Sequence, residues 1–453
     1  MYICIIIIIP KHYEKSYILF IFCLLWFCSF GQGTAFIKKS NVQGYSQIIR
    51  QWKTCPWTWS TGVHVVYYTD AVSNTKSYVG VTDIYNHYKY SEIQYNLTVR
   101  DMEVLGNIAY LCGYTSTNLA FIGWIDLTSI GSNDFFHIDT LVGNSYSMNS
   151  IENIVVYDDA LGNHYVAGYG IAPSGYYGLG YNVSTQQDCI GTLPYIPHDV
   201  TVTNNYVVYT GTVSGTDIVI HPIPKTNTFF NSYLPYYLYT VGSAITTEPF
   251  LRLHITNISG DKIATISYRL DGTWYGLALR EYDASGAFTN YDVPMLSSNV
   301  VKLNYSATNI YDLQYDAPSN TYAVFHNYAV NPSVYRNAVT KMDFSSGVPS
   351  SVSSDYLAIS NHTTASMALS DSSMYVVYGY NMTSKEHTFW KEHLPSSTTG
   401  TCLNSDILNV ISTIHTIAGA RHDLYYGIPY NWTGFPLTIN SNGFSGTIAT
   451  LCH

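Results

Sequence analysis

The sequence predicts an all-β fold, and three observations carry that expectation. Short runs alternate apolar and polar residues and are broken by Gly, Asn, Ser and Thr turn signals, as in Val99–Leu105, Ile108–Tyr114 and Ala120–Leu127. Beyond the N-terminal apolar run, nothing reads as a long amphipathic helix. The same group of strands is rewritten about every 51 residues, the spacing of architectures in which copies stack because one copy cannot bury both of its faces.

Taken in order, residues 1–31 read as a signal peptide. Lys11 and Lys15 precede the apolar run Tyr17–Phe30, and the small residues Ser29 and Gly31 take the −3 and −1 positions of a cut before Gln32. A lead-in segment (32–61) follows, carrying Trp52, Trp57 and Trp59. Residues 62–453 are expected to form one repeat domain. Its clearest piece is an apolar-aromatic strand ending near Gly or Tyr, at 63–69, 108–114, 164–170, 206–212, 263–268, 322–328, 374–380 and 424–430. A second strand follows each copy. Another often precedes it, at 101–105, 153–157, 199–203, 253–258, 312–316 and 367–370.

With a poorer fourth strand in the connecting segments, each copy matches the four-stranded antiparallel blade of a β-propeller. If the first copy is incomplete and completed by the C-terminus, seven blades result; eight result if every copy is whole. Seven is the expectation. The unit at 101–126 resembles the repeats of divergent β-propeller proteins secreted by Bacteroidetes, which read D-M-x-V…Y-x-x-G…G-x-x-D. Asp101, Met102, Val104, Tyr110, Gly113, Gly123 and Asp126 match it. The resemblance covers most of 62–440 and implies a secreted propeller. It implies no activity, because this fold hosts many functions.

Composition narrows the function classes. Charged residues are 11 % of the chain, Tyr alone counts 44, and the net charge is −10. A chain poor in charge and rich in aromatics is folded rather than disordered. A negative field with no Lys/Arg cluster excludes nucleic acid as a partner. No later apolar run is long enough for a helical membrane span in the mature chain, which is expected to be secreted or held at the cell surface as a monomer. Past the leader, Cys55, Cys112, Cys189, Cys402 and Cys452 remain. Their spacing matches no zinc site, Cys112 reads as a small buried apolar residue, and Cys402–Cys452 is the preferred disulfide.

The innermost strands of a propeller line its central channel. The aligned start of the first strand carries Asp101, Asn153, Asp199, Arg252, Asp312, Ser366 and Thr413. Such a ring binds a polar ligand or a cation, and Ca²⁺ is the one cofactor its hard oxygens suggest. The competing reading is that these residues satisfy strand-end backbone groups and hydrate the channel. Glu103, His254 and His415 are the next polar positions in register. Trp124 and Trp274 are candidate platforms for a sugar ring or a protein partner. There is no nucleophile elbow, zinc-protease motif, P-loop or dinucleotide fingerprint. The sequence therefore points to a non-catalytic binding module for carbohydrate or protein. A polysaccharide hydrolase or lyase acting at the channel mouth is the alternative, and a structural envelope protein a third.

Overall fold

The computed structural model describes residues 36–57, 63–70, 76–83, 88–93, 95–131, 134–140, 148–159, 161–185, 187–213, 217–225, 234–240, 253–271, 274–286, 293, 295–303, 306–331, 334–344, 351–357, 362–370, 374–381, 383–393, 403–407, 409–411, 418–424, 437–445 and 448–452. The leader, Arg252, Cys402, Thr413 and His415 lie outside them, as do the side chains of Trp274 and Cys452.

The strands pair antiparallel into four-stranded ladders, the middle ones buried on both faces. The Leu97–Leu105, Ile108–Thr115, Ala120–Asp126 and Asp134–Thr140 strands form one of them. The pairings fall into six sheets once Phe36–Gln51 is divided between the two it joins, and counted so the propeller has six blades, which corrects the expected seven or eight. The cause is Leu437–Ser445, which pairs with Tyr88–Ile93 on one side and Asp134–Thr140 on the other and so joins two repeat units into one sheet. The inner strands touch in the cyclic order Phe36–Gln51, Leu97–Leu105, Ser150–Asp158, Ile196–Val202, His254–Ser259, Ser306–Asp316 and His362–Ser370, which returns to the first.

Phe36–Gln51 falls within the lead-in segment yet serves the ring at both ends. Its first half pairs with Glu386–His393 and its second half with His64–Asp70. Among the described residues the eighth copy forms no blade of its own. Its described strands, Ala418–Leu424 and Leu437–Ser445, add to the outer edges of other ladders. Residues 425–430 of that copy lie outside the described residues.

The apolar core is divided into wedges between neighbouring ladders. Val65, Leu111 and Phe121 fill one wedge, Ile154, Val166 and Leu179 the next, and Val207, Val219 and Tyr209 a third. Cys112 is fully buried there, as its mid-strand position implies, with its thiol toward the Ile151 carbonyl. Among the described residues no helix is long and apolar enough to cross a membrane.

One local device recurs on the inner strands. The pairing register slips at a β-bulge just before Asp101, Asn153, Asp199, Asp312 and Ser366. A bulge adds an unpaired residue and turns its side chain to a new direction. It also presses the inner strand onto the next one. A Cβ on Gly113 would lie 1.9 Å from the Thr98 carbonyl oxygen, and one on Gly211 2.2 Å from that of Ile196. This close approach is the physical reason the second strand of a repeat so often ends in Gly.

Candidate functional site: the central channel

The inner strands enclose a cavity of about 1130 Å³, lined by residues from all of them. Its side chains fall into layers set by the bulges. The bulged residues Arg100, Glu152, His198 and Tyr311 line the mouth. Below them comes the aligned layer of Asp101, Asn153, Asp199, His254, Asp312 and Ser366, and below that Arg50, Glu103, Thr201, Thr256 and Gln314.

The aligned carboxylates stitch neighbouring strands together. One Asp101 oxygen accepts from the Met102 N–H (2.8 Å), and the other from the Ile154 N–H of the next inner strand (3.0 Å). Asp199 repeats this with the N–H groups of Val200 (2.9 Å) and Ile255 (3.0 Å), and also accepts from the Asn153 amide (3.0 Å). Asp312 accepts from the Leu313 N–H (2.8 Å) and from the side chain of Gln314. The choice of Asp or Asn at the start of the inner strand is thus explained first by backbone satisfaction across the ring.

Arg50 is the central cation. Its guanidinium donates to Glu103 through Nε (2.7 Å), to Asp101 (2.7 Å), to the Ile49 carbonyl (3.0 Å) and to the Ser366 hydroxyl (3.4 Å). It thereby ties the first inner strand to the second and to the last. The Arg50 and Glu103 side chains remain 21 % and 29 % exposed, so both face the cavity.

His254 sits between two acceptors. Nδ1 faces Asp199 at 3.2 Å and Nε2 faces the Ile310 carbonyl at 3.0 Å. Neither partner carries a hydrogen to give while Asp199 is ionised, so the ring donates twice and is an imidazolium. Its pKa moves the same way: burial opposes the charge, but the Asp199 hydrogen bond and charge, with Asp312 nearby, raise it. His198 differs. It accepts the Leu253 N–H on Nδ1 (3.0 Å), which leaves Nε2 to face the Thr212 hydroxyl (3.3 Å).

In the two inner layers four carboxylates, Asp101, Glu103, Asp199 and Asp312, lie with two cations, Arg50 and His254. Burial is the leading cause that raises the carboxyls of Asp101, Glu103 and Asp312, partly offset by Arg50. For Arg50 burial works against the charge, and Glu103, Asp101 and Asp312 more than restore it. Among the described residues no group of three or more His, Cys, Asp or Glu is placed to hold a metal ion. The Asp101 and Glu103 oxygens that a cation would need are turned toward Arg50.

Of the residues singled out in the sequence, Asp101, Asp199 and Asp312 are brought together in the channel wall. Arg252 lies outside the described residues. The place equivalent to Asn153 is held by His254, because the Ile255 N–H bonds Asp199 as the Ile154 N–H bonds Asp101. Trp124 stands away from the cavity, half-buried at the edge of a wedge and stacked on His137 with centroids 5.4 Å apart. Trp274 opens the strand Trp274–Asp283 opposite Asp271.

Sequence reasoning passed over Arg50 and the mouth residues Arg100, Glu152 and Tyr311. A usable signal existed for the last three, since each immediately precedes the aligned polar position. No family model matches this chain, and no curated protein matches it.

Proposed function

We propose that the chain is a secreted or surface-exposed, non-catalytic binding module that takes a carbohydrate at the mouth of the channel. The observation that carries this reading is the make-up of the mouth. Arg100 and Glu152, an ion pair at 3.5 Å, offer charged hydrogen-bonding groups beside the half-buried Tyr176 ring and the exposed side chains of Ile171 (37 %) and Ile196 (44 %), all on one cavity. A sugar has polar edges and apolar faces, and flat amphipathic side chains flanked by a few polar groups suit both. The deeper Asp101 and Asp199 are saturated by backbone N–H groups and cations, which favours a wall over an acid–base pair. Secretion rests on the Lys11, Lys15 and Tyr17–Phe30 leader alone.

A glycan-array screen of residues 32–453, with and without Ca²⁺, tests the reading. Selective binding that Tyr176→Ala weakens at least about tenfold supports it. A blank array on a folded, β-rich sample overturns it and moves the search to protein ligands or an envelope role. One observation favours a second reading, a polysaccharide hydrolase or lyase. Glu103 and Asp312 face the cavity with their carboxyls raised, as a general acid requires. Product analysis on any glycan that binds separates the two, because turnover abolished by Glu103→Gln belongs to the enzyme.

A further inference from the structure

The outer edges of this propeller accept extra strands. Leu403–Ile407 adds to Ser351–Leu357, Asn409–Ile411 to Met295–Leu303, and Ala418–Leu424 to Leu234–Thr240. Leu437–Ser445 covers both Tyr88–Ile93 and Asp134–Thr140, while Phe36–Gln51 covers Glu386–His393. Every one of these pairings is antiparallel. Among the described residues, one outer strand takes no such addition: Gln187–Leu193 pairs only with Gly175–Asn182, in the one sheet that has four strands and no more.

We infer that the Gln187–Leu193 edge is a docking site for an extended segment of another protein, joined antiparallel as a fifth strand. An uncovered edge presents a row of unpaired N–H and C=O groups, and adding a strand satisfies them. The rest of the molecule shows that its outer edges are shaped for that addition, because the same chain fills the others in the same sense. Those added strands indicate the chemistry of the occupant. They are short, contain no proline, and mix polar with apolar residues. The net charge of −10 sets two copies of this chain against each other, so the occupant is an uncharged or basic segment of a different protein rather than a second copy.

Hydrogen exchange on the full chain tests this, with the peptide Lys-Val-Thr-Val-Lys-Val-Thr as probe. In the free protein, alternate amides of 187–193 exchange at least about tenfold faster than those of the covered strands 234–240 and 351–357. Adding the peptide at millimolar concentration slows them by a similar factor and leaves the covered strands unchanged. Exchange at 187–193 as slow as at the covered strands overturns the inference, because the edge is then already filled. So does fast exchange that the peptide does not alter. Protection that grows with protein concentration alone also overturns it, since the occupant is then a second copy.

Discussion

His254 in the channel and His221 in the wedge between the Ser150–Leu193 and Ile196–Thr240 ladders are both buried, at 9 % and 0 % exposed, yet burial ends with opposite results. His254 is held between a carboxylate and a carbonyl and its pKa is raised. His221 meets the Tyr195 hydroxyl, at 2.8 Å, and desolvation lowers its pKa to about 3. His326, bonded to the Thr340 hydroxyl at 2.8 Å, is lowered by burial in the same way, to about 4. Removal from water is common to all three. The partner decides the sign. The surroundings of His221 and His326 keep the imidazole neutral, and the channel holds its charges in balance.

The largest way to break that contrast is to remove the central cation. Arg50→Met leaves Asp101 facing Glu103 without compensation and is expected to cost about 3 kcal/mol in chemical denaturation. The triple variant Arg50→Met/Asp101→Asn/Glu103→Gln removes the charges with it and is expected to recover most of that loss. A triple variant no more stable than the single one would show that Arg50 acts through packing.

The pH dependence sharpens the contrast further. Asp101, Glu103, Asp312 and His254 all bind protons more tightly when folded. The stability they contribute is therefore full below their unfolded pKa values and is lost as pH rises through the folded ones. His221 and His326 have the opposite sign: their contribution is present above the ordinary histidine range and lost as pH falls toward their lowered values. The melting temperature of Asp312→Asn relative to the parent is expected to climb as pH rises. That of His221→Gln is expected to climb as pH falls, each by a few degrees or about 1 kcal/mol. Parallel profiles would refute the distinction. The smallest effect is expected from Tyr195→Phe, which removes the hydroxyl facing His221. It should cost about 1 kcal/mol at pH 7, with no change in ligand binding at the mouth.

Much of this was legible in the chain. Alternation at 97–105, 108–115 and 120–126 located strands to within a residue or two, and Asp101, Asn153, Asp199, Asp312 and Ser366, read from the aligned start of the inner strand, line the cavity. The register at His254 was harder to read. Polar residues at Arg252, His254 and Thr256 alternate evenly, so a slip of two positions leaves the pattern intact. Only the Ile255 N–H bond to Asp199 fixes the alignment. Arg50 was passed over because Phe36–Gln51 lies ahead of the first recognisable copy, and the strand that pairs with its first half, Glu386–His393, is far along the chain. The rim strands after residue 402 look locally like blade strands. What distinguishes them is which edge they join, and that is a long-range property that periodicity does not carry.

That rim also sets an order of assembly. The strands at 403–452 leave the ribosome after every inner strand has been made, yet they seal five outer edges and brace the Phe36–Gln51 seam. Until they emerge, the nascent chain carries exposed edges along most of its length, even where Glu386–His393 has already met Phe36–Gln51. Closure then depends on contacts that span nearly the whole sequence, the slowest kind to form. The C-terminal strands are thus the last pieces laid on the fold, and the sheet edges they cover stay open until then.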